Sequence, residues 1–175
     1  ARQTDGTLMV REFVDTRRAH LGVLLSLRSE DYRSADEFEL AVSVVGSLGL
    51  RALADDQELT CLAGTRTVPS FHGTSFLDSL AGIDTIDGDV PAPVVAARGR
   101  DLMRGVSVAV VVTGSAGDAR SLRSAADRLG PMVHTVLVRV AHGARSSLSM
   151  AGANPMIEIG ELSELPRLVF AAANR

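Results

Sequence analysis

A chain of 175 residues, 46% of them hydrophobic, is long enough to bury a real core and too apolar to remain disordered. Its 22% charged residues sum to a net charge of -3, which supplies no concentrated basic field for nucleic acid, and 3% aromatic residues with no Trp leave no base-stacking platform. All eighteen basic side chains apart from His are Arg, which excludes Schiff-base, Ser–Lys and phosphate-loop lysine chemistry, while the single Cys61 excludes an internal disulfide and a cysteine zinc cluster.

The opening Ala1–Gly6 has neither the charge nor the apolar core of a signal peptide, and reads as the middle of a longer protein. Leu8 to Val14, carrying Arg11 and Glu12, is a short extended segment expected at an edge (residues 1–14 as a whole being the edge of a truncated region). Leu21 to Leu27 reads LGVLLSL, short enough and apolar enough for a buried strand. A polar loop, Arg28 to Arg33, precedes the clearest helix. There Ser34 and Glu37 form a Ser-x-x-Glu capping pair, and Phe38, Ala41, Val42, Val45, Leu48, Gly49, Ala52 and Leu53 recur at helical spacing.

Leu59 to Ala63 reads as a second core strand, with a turn at Gly64 and extended chain to Pro69; its Cys61 is expected to be a buried, inert thiol. Thr74 to Ile83 is a helix on the spacing of Phe76, Leu77, Leu80 and Ile83, and Asp84 to Pro93 is loop. Val94 to Arg104 is a short helix, with Arg98, Arg100 and Arg104 on a solvated face. Val106 to Thr113 is the strongest strand, β-branched and buried. A Gly114-Ser115-Ala116-Gly117 turn leads to Asp118 as N-cap of a helix from Ala119 to Leu129, stopped by Gly130 and Pro131. Val133 to Val140 and Met156 to Ile159 are further strands, and Glu164 to Ala173 is the last helix.

Strand and helix alternate throughout with no interdomain linker. The expectation is one α/β domain over residues 1–175, three-layer and Rossmann-like, with about six mainly parallel strands between two helical layers. Leu21–Leu27 and Val106–Thr113 should be central neighbours. The longest apolar run, Val106 to Val112, falls far short of the about 20 residues a membrane span needs.

The runs VREFVDTRRAHLGVLLSL, DEFELAVSVVGSLGLRAL and FHGTSFLDSLAGI resemble a bacterial family named for its "domain of unknown function 58", whose C-terminal half is a von Willebrand factor A-like domain. The resemblance extends from about Gly6 to Arg175. It implies a ligand face at the carboxyl ends of the strands. In related domains a divalent cation sits there, held by a first loop Asp-x-Ser-x-Ser, a Thr from a second loop and an Asp from a third. On this sequence the first loop maps to Ser26-Leu27-Arg28-Ser29-Glu30, so Ser26 replaces the Asp, Arg28 the first Ser and Glu30 the second. The second maps to Gly73-Thr74-Ser75 with His72 beside it, and the third to Thr113-Gly114-Ser115, with no carboxylate before Asp118. Two anionic ligands are missing and a guanidinium has been added, so no metal and no other cofactor is expected. A shifted loop offering Glu30 or Asp31 is the alternative.

Two functional readings remain open. The first is a noncatalytic protein-interaction module with a degenerate metal-ion-dependent adhesion site. Its partner-binding face is Ser26, Arg28, Ser29, Glu30, His72, Thr74, Ser75, Gly114 and Ser115. The resemblance implies a protein partner such as a MoxR-type AAA+ ATPase in envelope or assembly processes, with this fragment in the cytoplasm, touching no nucleic acid or membrane, and the full-length protein membrane-anchored. The second is a small-ligand or nucleotide-binding domain using the Gly114–Gly117 turn. That turn lies between strand and helix as phosphate loops do, but lacks their Lys and the third Gly of a dinucleotide fingerprint.

Overall fold

A computed structural model describes residues 19–175. The extended segment expected at Leu8–Val14 lies outside them. In chain order the elements are β1 (His20–Leu25), α1 (Ala35–Ala54), β2 (Glu58–Ala63), β3 (Arg66–Val68), α2 (Gly73–Ala81), α3 (Ala92–Gly99), β4 (Val108–Gly114), α4 (Ala119–Leu129), β5 (His134–Val140), β6 (Ser147–Ala151), β7 (Asn154–Ile159) and α5 (Leu165–Ala173). All seven described strands form one sheet in the order β3-β2-β1-β4-β5-β7-β6. The five strands β2, β1, β4, β5 and β7 run parallel; β3 and β6 are antiparallel edges. The expected α/β class, three-layer and mainly parallel, is the one found, with β1 and β4 as central neighbours.

Alternation along the buried strands makes the two cores. Val23, Leu25, Val110, Val112, Val136 and Val138 point to one face, where α1, α2 and α5 cover them. Leu24, Ala109, Val111 and Leu137 point to the other, under α3 and α4. Both faces are covered, which is why β1 and β4 read as continuous apolar runs.

Three expectations need correction. There are seven strands among the described residues, where the sequence pointed to five, because Arg66–Val68 and Ser147–Ala151 add the two antiparallel edges. Ser147-Leu148-Ser149-Met150 alternates polar and apolar residues, but over only four positions and at a mostly exposed edge. The helix expected at Val94–Arg104 is displaced to Ala92–Gly99, since a proline in the first turn costs no hydrogen bond and lets the helix begin before Pro93. The capping pair is half-formed: Ser34 Oγ accepts from the Glu37 N–H at 3.1 Å, but the Glu37 carboxylate turns elsewhere.

Helices α1 and α2 cross closely through glycines. A Cβ on Gly49 would overlap the ring of Phe76, which is fully buried and has nowhere to go. A Cβ on Gly46 would lie 3.3 Å from Leu77 Cδ2, on a side chain 39% exposed and free to shift. Ala is favoured over Gly in a helix by roughly 1 kcal/mol, whereas overpacking costs about 1–3 kcal/mol. Gly46→Ala should therefore raise the melting temperature by about 2–4 °C, and Gly49→Ala, where overpacking outweighs that gain by up to about 2 kcal/mol, should lower it by up to about 8 °C. Opposite signs in thermal melts of the two variants check this packing.

Candidate functional site

The winding of the sheet reverses between β1 and β4: the chain leaves β1 for β2 on one side and later enters β4 on the other. A crevice opens at such a point beyond the carboxyl ends of the strands. Here it is bounded by the loop after β1 (residues 26–34), the loop between α2 and α3 (residues 82–91) and the turn after β4 (residues 115–118).

Ser26 continues the β1 ladder, its N–H donating to Val112 O at 2.9 Å. Its hydroxyl, 3% exposed with the residue, donates to Asp31 Oδ2 at 2.6 Å, and Thr113 Oγ1 donates to the same oxygen at 3.2 Å. A short 3-10 turn, Ser29–Asp31, carries Asp31 back over the strand ends. The Asp31 carbonyl accepts from Ala116 N–H at 3.0 Å, and Tyr32 Oη donates to Ser26 O at 2.6 Å. Burial, followed by the charges of Asp31 and Glu37, pushes the Tyr32 phenol well above its ordinary range, so it stays a donor. Arg28 Nη1 lies 4.0 Å from Asp31 Oδ1, and Arg28 Nε lies 3.6 Å from Glu30 Oε2. A half-exposed ion pair contributes about 0–1 kcal/mol, against about 1.5–3 kcal/mol for a hydrogen bond to a charged group. The buried hydroxyls, not the guanidinium, hold Asp31.

The second loop is zipped to the first. Ile86 N–H donates to Leu27 O at 2.7 Å and Ser29 N–H to Ile86 O at 3.2 Å. Ser29 Oγ donates to Asp87 Oδ1 at 2.6 Å, and Glu30 Oε1 accepts from Gly88 N–H at 2.8 Å. The backbone N–H groups of Glu30 itself and of Gly88, together with Arg28, hold the Glu30 carboxyl below the usual range.

The third piece is the turn after β4. Glu37, 4% exposed, reaches from the first turn of α1 to accept from Ser115 N–H and Ser115 Oγ, each at 2.7 Å, and from Arg33 N–H at 3.2 Å. Gly114 has no room for a side chain. A Cβ there would collide with the Asp31 carbonyl oxygen and lie 2.7 Å from Glu37 Oε1. Arg139, on β5, closes the turn from behind with Nη2 donating to Ser115 O at 2.7 Å; its Nε is buried without a partner.

This arrangement bears on the phosphate-loop reading. Ser115 N–H donates to Glu37, Ala116 N–H to Asp31 O and Gly117 N–H to Gly114 O. A phosphate loop presents those amides to its ligand; here they serve the protein, beside a carboxylate that would repel an anion. The nearby groove, lined by residues including Tyr32, Phe38, Asp84 and Thr85, holds about 280 Å³ and is open, less than small-molecule pockets usually offer.

Ser26, Arg28, Ser29, Glu30, Gly114 and Ser115 are thus brought together. His72, Thr74 and Ser75 are not, and their assignment to this face is corrected. After β2 rises, β3 returns antiparallel to the amino end of the sheet, and α2 starts there. Gly73 packs against Leu50, near the end of α1 opposite Glu37. At 1.5 Å per residue, Leu50 lies about 20 Å along the helix from Glu37. The loop that reaches the site from this part of the chain is the one carrying Ile86, Asp87 and Gly88. Sequence reasoning took Glu37 only for a capping residue and gave no role to Asp87 or Arg139. The signal for Glu37 was available: the first turn of a helix that follows the first loop must face that loop.

Among the described residues, no group of three or more His, Cys, Asp or Glu side chains converges to hold a metal ion. No helix there is long and apolar enough to cross a membrane. Cys61 is buried, which pushes its thiol up to about 12, away from nucleophile chemistry at neutral pH.

No family model and no curated protein matches the sequence. Among solved structures, one described as von Willebrand factor type A from Catenulispora acidiphila matches with a TM-score of 0.43 and 10% identity over 89% of this chain. The match spans 37% of that structure's own chain. At that identity and score the likeness says nothing of what this chain binds.

Glu37 is the test of how the loops are held. Glu37→Ala removes the acceptor of three donors, two of them on Ser115, and should cost about 3 kcal/mol and lower the melting temperature by about 6–12 °C. Ser115→Ala loses only the hydroxyl bond and should cost about half as much. Equal stability of Glu37→Ala and the parent in denaturant titration would contradict the geometry.

Proposed function

We propose that this chain is a noncatalytic protein-interaction module that binds a partner through the loops at the carboxyl ends of β1 and β4. The observation that carries the reading is the mutual bracing of those loops. Side-chain and backbone bonds join residues 26–31, 84–89 and 114–116 into one surface, with the polar edges of Arg28, Glu30 and Asp87 outward. A rigid, polar, shallow surface suits a macromolecular partner better than a small ligand, because binding it loses little conformational entropy.

Chemistry at this face finds little support. Ser26 and Ser115 each donate to a carboxylate, but among the described residues no His hydrogen-bonds to either, so neither has the base of a nucleophilic pair. The adhesion-site metal expected of intact relatives suits these residues poorly. The one carboxylate beside Ser26, that of Asp31, already accepts two hydroxyls on one oxygen, and Arg28 faces the other. A divalent ion would have to displace these donors and tolerate a guanidinium. We therefore read the site as a degenerate adhesion site that works without metal.

The resemblance to the bacterial family containing a von Willebrand factor A-like half supports a MoxR-type AAA+ ATPase as the partner to try first. Titration of such an ATPase from the same organism against this chain, followed by calorimetry, tests the reading. Arg28→Ala and Glu30→Ala should each weaken binding about tenfold or more, whereas Thr74→Ala, at the opposite end of the sheet, should leave it unchanged. Binding insensitive to both loop variants, or lost equally with Thr74→Ala, would remove the loop face from the interaction.

A further inference from the structure

At the amino end of the sheet, opposite the loop face, an open groove of about 530 Å³ runs over the starts of β1 and β2 and along β3. Its lining includes His20, Leu53, Leu59, Thr67, Phe71 and Leu102. Helix α3 covers β2 higher up, where Leu62 meets Gly99. Two apolar side chains of the groove stand largely in water, Phe71 at 85% and Leu102 at 51% exposed. β3 is the edge of the sheet there, with no strand on its outer side among the described residues. A bare strand edge beside apolar side chains is a template for a further extended segment. The chain that precedes Ala19 arrives at this place: Ala19 O accepts from Glu58 N–H at 2.9 Å, and both His20 and Glu58 line the groove. Within residues 1–18, Leu8-Met9-Val10-Arg11-Glu12-Phe13-Val14 has five apolar side chains in seven, distributed over both faces of an extended chain. From Val14 to Ala19 the chain can reach about 17 Å, whereas β1 and β3 are two strand spacings, about 10 Å, apart. On that path lies the start of β2, where Asp55, Asp56 and Glu58 are exposed, and the connecting residues include the adjacent Arg17 and Arg18.

We propose that residues 8–14 of this chain fill the groove as an extended segment alongside β3. Apolar side chains on both faces of the segment suit a seat that offers Leu53 and Leu59 from the sheet side and Phe71 and Leu102 at its exposed parts. The connector brings two guanidiniums to three exposed carboxylates, which favours this path over a free one. A second copy or another protein competes at a disadvantage, because the tethered segment is held near the groove by a short linker. The inference is independent of the interaction reading, which concerns the opposite end of the sheet.

A nitroxide attached at Glu12→Cys tests this in the full chain, since Cys61 is buried and stays unmodified. In ¹⁵N-labelled protein the amide signals of Thr60, Thr67, Ser70 and Phe71 should lose most of their intensity relative to the same sample with the label reduced. Those of Ser147–Ala151, six strand spacings or about 29 Å away across the sheet, should keep theirs. Val10→Asp together with Phe13→Asp places one charge on each face of the segment and should restore the groove signals while leaving the rest of the spectrum unchanged. Arg11→Cys is a second label position, used in case the first label itself blocks docking. Full groove intensity with both labels overturns the proposal. Broadening that survives the two aspartates also overturns it, because tethering alone would then explain the proximity. A nitroxide-bearing chain without ¹⁵N, mixed with ¹⁵N-labelled parent, identifies the occupant. Groove signals that broaden in this mixture would assign the groove to a second copy and overturn the placement in cis, whereas broadening within one chain alone supports it.

Discussion

The Asp31 carboxylate sits between the Ser26 and Thr113 hydroxyls, at the carboxyl ends of two neighbouring strands, and the loop face takes its shape from that contact. Ser26 and Thr113 are fixed by the β1 and β4 ladders, the most buried part of the sheet. The turn that delivers Asp31 must close over those strand ends, and in closing it sets Arg28 outward and brings Ser29 to the second loop. Two buried hydroxyls next to each other would each carry a desolvation cost without an acceptor. One carboxylate satisfies both.

The same economy recurs one turn of helix away. Glu37 is a buried carboxylate whose partners, Ser115 and the Arg33 backbone, belong to different loops. Asp31 joins the first loop to the strand ends, and Glu37 joins α1 to the turn after β4. Ser29 and Glu30 join the first loop to the second. The result is a set of loops joined to the scaffold and to one another. Asp31, Glu37, Glu30 and Asp87 all accept hydrogen bonds from donors of this chain.

Much of this was legible before the fold was known. β1, β4, α1 and α4 announce themselves through buried apolar runs, helical spacing, the Ser34 cap and the Gly130 stop, each a local signal. The two loops directly after β1 and β4 followed at once, since a residue that ends a strand is placed by that strand. Thr74 was misplaced for a non-local reason: the three-residue return strand β3, too short to signal its direction, carries the chain back to the amino end before α2 begins. β6 was missed because its alternation, Ser147 to Met150, is only four residues long and lies on an exposed edge. The Asp31 and Glu37 contacts were hidden because a carboxylate's partner is set by loop conformation, and residue spacing does not encode it.

We propose that the Asp31 carboxylate, held by the Ser26 and Thr113 hydroxyls at the strand ends, leaves no place for a divalent ion. Addition of substoichiometric Mn²⁺ to ¹⁵N-labelled protein tests it most directly, because the paramagnetic ion broadens amide signals only near where it binds. The signals of Ser26 to Tyr32 and Gly114 to Gly117 should keep their intensity relative to the rest of the chain. Selective loss of those signals, reversed by excess Mg²⁺, would place a metal site where the structure has Asp31 and would contradict it.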